Sequence, residues 1–271
     1  MNNLKIYCVT DKDLHYLKNL PYNLAGVGKS NFTKDYYLAN TKDNIHHKEQ
    51  YYSELAFHYW FWKNELQNFR KKTWIGFCQK RRFWIKKDSI NQNINFYNFK
   101  NYILSEIPKE WLKYNAVICE PIYVNGVNKI KLLKRGFKSM VKDPRIFFNK
   151  NKQTVKLHFD MHHGYGNLDR AIDLIDPEDK DEFRDFVNNS IFFNPHIMFI
   201  ACAEVANSWF NKLFPWLFRC EKLFGFDQLY GYDTKRLYAY LAERYLSFWF
   251  KKYSNYIEWP CFTLLDYENS K

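Results

Sequence analysis

The stretch Thr73-Trp74-Ile75-Gly76-Phe77-Cys78-Gln79-Lys80-Arg81-Arg82-Phe83-Trp84 constrains the fold more than any other part of the chain. Its first half joins β-branched, aromatic and small apolar residues with no charge among them, which predicts a short buried strand. Its second half is a block of three cations. A buried strand that ends in fixed positive charge fits an α/β protein, because such folds bind ligands outside the carboxyl ends of their strands. A phosphate suits such a rim, since the planar fork of an arginine makes paired, charge-assisted hydrogen bonds to phosphate oxygens. From Arg70 to Lys87 there are eight Lys or Arg and no acid, so nothing local in sequence neutralises the block. A merely solvated basic surface is the plainer reading, but Phe77, Phe83 and Trp84 predict that the run is anchored to a core.

With 271 residues the chain can bury roughly three quarters of its unfolded surface without staples. We read it as one domain, 1–271, carrying a basic insertion at about 127–152. The net charge of +12 favours a polyanionic partner: nucleic acid, a sugar nucleotide or an anionic membrane face. Six cysteines lie scattered among mostly apolar neighbours with no C-x-x-C pair, which excludes a zinc ribbon and predicts reduced thiols in a cytoplasmic protein. The amino terminus reaches Asp11 too soon to hold a signal-peptide apolar core, and no apolar run approaches membrane-spanning length.

Leu4 to Thr10 is predicted as the first strand, with Asp11-Lys12-Asp13 at its carboxyl end. A D-x-D binds metal in nucleotide-sugar enzymes after a later strand, so here we read the spacing as coincidence. Tyr52 to Phe69 is predicted as a helix on the stripe Leu55, Tyr59, Trp62, Leu66 and Phe69. Glu54 and His58 lie one turn apart on another face, on the surface or facing a cleft. Ala116 to Cys119 is a further buried strand, and this alternation of helix and strand predicts a mostly parallel sheet flanked by helices. Val127 to Lys152 has nine Lys or Arg against Asp143 alone and few periodic apolar positions; it reads as an exposed, partly mobile insertion able to lean on anionic lipid or a polyanionic acceptor.

Leu157 to Gly164 is the densest segment chemically. His158 and His162 stand at metal-ligand spacing with Asp160 nearby, yet the glycines that follow predict a helix end, where histidines more often cap or hydrogen-bond. Asn194-Pro195-His196 feeds a strand beginning near Ile197. The last helix is predicted from Tyr232 to about Lys252, placing Asp233, Arg236, Tyr240 and Glu243 on one face. An aspartate cap and a structural Arg236–Glu243 ion pair are the plain alternative there.

Several of these residues, taken in order, resemble a bacterial family of capsule and lipopolysaccharide synthesis proteins, long labelled a domain of unknown function, that includes galactofuranosyltransferase domains. The matching motifs are Val9-Thr10, Asp43-Asn44-Ile45, Tyr52-Ser53-Glu54-Leu55, Tyr59-Trp60-Phe61-Trp62-Lys63-Asn64, Gly76 to Arg82, Met198-Phe199, and Asp233 with Arg236 and Ala242-Glu243-Arg244. Where the family has His-Tyr before its paired arginines, this chain has Gln79-Lys80.

The resemblance implies a GT-A-like glycosyltransferase that uses a nucleotide sugar, a UDP-sugar being the expected donor, to extend a surface polysaccharide or lipid-linked glycan. On that basis Asp233 is the expected catalytic base, with Asp160, His163 and Glu243 as alternates. Thr10, Asp43, Asn44, Lys80, Arg81, Arg82, His196 and Arg236 are expected at the donor, and Glu54, His58 and Tyr240 at the acceptor. The cations at 80–82 are expected to hold the departing diphosphate without an obligatory metal. The expected setting is cytoplasmic, with peripheral contact to the inner membrane face. A nucleic-acid-binding module and a non-catalytic scaffold of polysaccharide assembly are the rival readings; no nucleic-acid motif favours the first.

Overall fold

The computed structural model describes residues 4–265. These fall into two compact units, residues 4–120 with 196–210 and 250–265, and residues 121–195 with 211–249. The strands in chain order are β1 (Leu4–Thr10), β2 (Asn23–Gly26), β3 (Tyr36–Leu38), β4 (Trp74–Gln79), β5 (Arg82–Trp84), β6 (Ala116–Cys119), β7 (Ile122–Tyr123), β8 (Phe192–Phe193), β9 (Phe199–Cys202), β10 (Tyr256–Trp259) and β11 (Cys261–Thr263). The helices are α1 (Glu49–Tyr52), α2 (Leu55–Asn64), α3 (Lys129–Arg135), α4 (Phe137–Lys142), α5 (Val155–His163), α6 (Asn167–Ile172), α7 (Pro177–Asn189), α8 (Ala203–Phe224), α9 (Tyr232–Lys235) and α10 (Leu237–Tyr253).

The first unit is built on a sheet of order β10-β6-β9-β4-β1-β2-β3, with β5 and β11 continuing off β4. Pairings β1 with β2, β1 with β4, β2 with β3 and β6 with β10 are parallel, whereas β9 runs antiparallel to both neighbours. The mostly parallel sheet expected from the sequence is therefore present. Its central strands are buried on both faces, which is why β4, β6 and β9 read as unbroken apolar runs and not as alternating ones. Gly76 belongs to this packing: a Cβ there would lie 2.7 Å from Ile200 Cγ1 and 3.1 Å from Ile6 Cγ1.

Chain order determines where a ligand can enter. From β1 the chain moves outward to β2 and β3, then returns across β1 to β4, so the winding reverses between β1 and β4. A crevice opens at the carboxyl ends of strands where winding reverses. Because β9 is antiparallel, its amino end lies at the same rim as the carboxyl ends of β4 and β6.

Helix α2 is shorter than the sequence predicts, since Ser53 (φ 53°) breaks it from α1 and a 3-10 turn follows it. It buries every residue from Leu55 to Phe61, and so is a buried helix and not one with a single apolar stripe.

The second unit is mainly helical. Phe183, Trp216, Tyr245 and Phe248 pack their rings together, Tyr245 OH donates to Asp179 Oδ2 at 2.6 Å, and Trp216 Nε1 donates to the Ala171 carbonyl at 2.8 Å. Residues 127–152, expected as an exposed insertion, form α3, α4 and 3-10 turns around a small core. Leu132, Met140 and Ile146 pack there with Leu157 and Met161. The predicted last helix is divided at Arg236 (φ −94°, ψ 34°) into α9 and α10, so Asp233 and Arg236 do not share a helix with Tyr240 and Glu243.

Candidate functional site

The candidate site in the first unit is the rim around the β1–β4 reversal. Strand β4 turns into β5 through two residues, Lys80 and Arg81, with Gln79 paired to Arg82. The turn is pinned on both sides: Lys80 N–H donates to the Val9 carbonyl at 3.1 Å, Tyr16 OH donates to the Lys80 carbonyl at 2.7 Å, and Leu264 N–H donates to the Arg81 carbonyl at 2.7 Å. All three cations, Lys80, Arg81 and Arg82, are half-buried.

Sequence proximity misrepresents their electrostatics. Asp11, at the carboxyl end of β1, is ion-paired with Lys80, so that lysine is neutralised across the reversal although no acid lies near it in the chain. Burial alone would raise the Asp11 carboxyl, but the hydrogen bond and charge of Lys80 hold it below its ordinary value. Asp13, the other half of the D-x-D, accepts from Tyr36 OH at 3.1 Å and pairs with Lys18 at 3.3 Å. No cluster of three or more His, Cys, Asp or Glu able to hold a metal occurs among the described residues.

Arg82 is held differently. Its Nη1 donates to Gln79 Oε1 at 2.6 Å, and the Gln79 amide in turn donates to Glu54 Oε1. Its Nε is buried with no hydrogen-bond partner among the described residues. The Cys261 thiol registers this field: its hydrogen bond with Cys119 and the nearby Arg82 charge lower its pKa against the effect of burial.

His196 precedes β9 at this rim and takes a left-handed backbone (φ 67°), a sparsely populated conformation for a side chain beyond Cβ. Thr10 is buried and its hydroxyl donates to the Lys12 carbonyl at 2.7 Å while accepting from Lys12 N–H, so it shapes the turn that carries Asp11. Asp43 and Asn44 sit in the loop after β3. Tyr59 OH donates to Asp43 Oδ1 at 3.1 Å, Asn64 Nδ2 donates to the Asp43 carbonyl at 2.8 Å, and Trp60 Nε1 donates to Thr41 Oγ1 at 3.1 Å. The two motifs around 43 and 59–64 thus clasp each other. His58, expected at an acceptor, is 1% exposed with its ring 4.2 Å from that of Phe77 and close to Phe199 and Phe210; it is a core residue.

The remaining expected residues belong to the second unit. Asp233 Oδ2 pairs with Arg135 Nη1 at 2.9 Å, and its carbonyl accepts from His163 Nδ1 at 2.8 Å. His163 stacks on Tyr240 with ring centroids 3.7 Å apart. Glu243 is bonded to Arg244, which is 1% exposed, lies 4.0 Å over the Phe193 ring and donates to His158 Nδ1 at 3.1 Å. His162 Nδ1 donates to the His158 carbonyl at 2.8 Å, a helix-end role and not a ligand pair. Asp160 is buried, accepts from Gly166 N–H at 3.0 Å and lies 3.4 Å from Lys156 Nζ; burial raises its pKa, with Lys156 opposing. It lines a cavity of about 400 Å³ with Lys142, Arg145, Lys152 and Asn188. Arg236 is exposed at the helix break.

Burial pushes the pKa of His58 and His163 down to about 3 and that of His158 to about 2, from an ordinary 6.5. Folding therefore favours the neutral rings, and the stability they contribute is present above pH 6.5 and lost as pH falls towards 3. For His58 and His163 the expected slope is up to about 1.4 kcal/mol per pH unit each. Urea midpoints measured from pH 7.5 to 5.0 should stay nearly level down to about pH 7 and fall increasingly below 6.5, and a His58→Phe chain should show a shallower fall; a flat profile below 6.5 would contradict the burial of neutral imidazoles.

The fold, a mostly parallel sheet flanked by helices, is that of a glycosyltransferase: the chain superposes on the apo structure of WbbM, described as a bifunctional glycosyltransferase, with a TM-score of 0.68 at 16% identity over 97% of this chain. It spans 45% of the length of that protein. Residues 5–255 match the family described as Domain of unknown function (DUF4422), and the chain belongs to that family. No curated protein matches it.

The cation turn is legible in the sequence, whereas the ion pair of Asp11 and the bridging amide of Gln79 emerge only in the fold. A carboxylate placed immediately after the first strand was the available signal for Asp11. Nothing local marks Gln79 as the link between Glu54 and Arg82.

Proposed function

We propose that the chain transfers a sugar from a nucleotide-activated donor, a UDP-sugar in the first instance, to a glycan or lipid-linked glycan in cell-envelope synthesis. The observation that carries this reading is the β4–β5 turn, where Lys80, Arg81 and Arg82 are fixed beside the β1–β4 reversal. As the glycosidic bond to the donor breaks, negative charge accumulates on the diphosphate, and preorganised cations stabilise that charge more in the transition state than in the ground state. Arg82 supplies a half-buried guanidinium bonded to a neutral amide for this task, and Lys80 can exchange Asp11 for a phosphate oxygen.

An acceptor hydroxyl also needs a base. Of the three carboxylates put forward, the Asp233 side chain is 44% exposed, against 16% for Glu243 and 4% for Asp160, and we retain it for that role. Galactofuranose is the sugar suggested by kinship. A cytoplasmic setting is the one in which nucleotide sugars are available, and no described helix is long and apolar enough to cross a membrane.

The test is release of nucleoside diphosphate from a panel of nucleotide sugars in excess EDTA. Turnover of at least one donor at its full rate is expected. Absence of both turnover and thermal stabilisation by every donor would overturn the assignment; loss of turnover in chelator with recovery in manganese would overturn the cation mechanism alone.

A further inference from the structure

Helices α3 and α4 present apolar side chains on two faces. Leu132, Gly136 and Met140, four residues apart, face the small core of the second unit. On the core side a Cβ on Gly136 would lie 3.5 Å from Met161 Sδ. Ile130, Leu133, Phe137 and Val141 are nevertheless 64, 50, 61 and 67% exposed. The Met140 N–H donates to the Gly136 carbonyl and the Gly136 N–H to the Leu132 carbonyl, so the helical winding carries through the junction. At 100° per residue the four exposed side chains fall within an arc of roughly 80°, beside the arc of the buried positions and not opposite it.

The outer arc is bordered along one side by Lys131, Lys134, Lys138 and Lys142, all exposed, and no acid occurs between Glu120 and Asp143. Phe148, 83% exposed, adds to the apolar surface beyond α4. A core-facing helix needs only its inner stripe; a second one edged with lysines is the pattern of a helix lying in a membrane interface. There the apolar side chains enter the acyl boundary and the cations meet anionic headgroups. A second copy of the chain is a poor occupant, because a two-fold contact would set lysine row against lysine row. Nucleic acid would use the lysines and leave the apolar arc in water.

We propose that this face, centred on Phe137 and Val141, docks the protein on an anionic bilayer surface. The inference does not depend on the sugar-transfer reading, and its assay contains no donor, so either can fail alone. The test is co-sedimentation of the whole chain with vesicles of phosphatidylcholine containing about 30% phosphatidylglycerol, and with phosphatidylcholine alone. Binding to the anionic vesicles is expected to exceed binding to neutral ones at least about tenfold and to weaken in 0.5 M salt. A Phe137→Glu/Val141→Glu double variant should lose binding about tenfold or more with an unchanged melting temperature, because both side chains already face solvent. A Lys134→Glu/Lys138→Glu/Lys142→Glu variant should lose the preference for anionic lipid. Wild-type protein left in the supernatant, equal binding to neutral vesicles, or full binding by the double variant would each overturn the proposal. So would a dimer in sedimentation equilibrium that the double variant dissolves.

Discussion

Replacing Arg82 with alanine is expected to lower kcat/KM for sugar transfer by about 100- to 1000-fold, the scale of losing one preorganised stabiliser of developing charge. Two features set Arg82 apart from its neighbours. Lys80 already has a carboxylate partner in Asp11, whereas among the described residues the Arg82 side chain has the neutral amide of Gln79 as its hydrogen-bond partner and its Nε has none. Its charge therefore remains available to a ligand. An Arg82→Lys chain should recover only part of the loss, since an ammonium cannot make the paired contact of a guanidinium. The measurement is steady-state transfer with a saturating acceptor, alongside calorimetric binding of the nucleoside diphosphate. Turnover of Arg82→Ala within threefold of wild type would remove this arginine from the mechanism.

The second large effect is on stability. Glu243→Gln is expected to destabilise the second unit by about 3–5 kcal/mol, because it leaves the guanidinium of Arg244 buried without the charge that balances it. Arg244 is 1% exposed and burial already lowers its pKa, with Glu243 opposing. A drop in melting temperature on the order of 10 °C follows. Replacing the pair together, Glu243→Gln with Arg244→Met, should recover much of that drop, since a buried ion pair exchanged for apolar packing is often neutral. If Glu243→Gln melts like wild type but turns over poorly, Glu243 acts on substrate and the structural account of the pair is wrong.

The sheet and its rim were legible because buried strands leave a mark that needs no context. Trp74 to Cys78 and Ala116 to Cys119 are apolar without interruption, and a cation block shortly after the first of these lies at a strand end. Three other features were hidden for separate physical reasons. Asp11 and Lys80 are 69 residues apart in sequence, and only the parallel pairing of β1 with β4 brings them together. His58 is polar by composition, yet α2 is buried all round, so its place on the helix could not distinguish a cleft from a core. Residues 127–152 concealed their helices because apolar residues on both faces blur the single stripe that periodicity detects.

The junction at 232–237 was misjudged for a related reason. The spacing of Asp233, Arg236, Tyr240 and Glu243 suits one continuous helix, but the backbone departs from helical geometry at Arg236. The Asp43-Asn44 and Tyr59-to-Asn64 motifs were legible as a pattern without being legible as a clasp. Tyr59 and Asn64 both bond to Asp43, so these residues serve the architecture of the loop.

The two-residue link between β4 and β5 has an implication for selectivity. A tooth this short, gripped by strands at both roots, keeps its position whether or not anything sits against it, and it senses negative charge without sensing which hexose that charge is attached to. Under the proposed sugar transfer, discrimination among donors would fall to the side chains that touch the sugar ring and not to this hairpin.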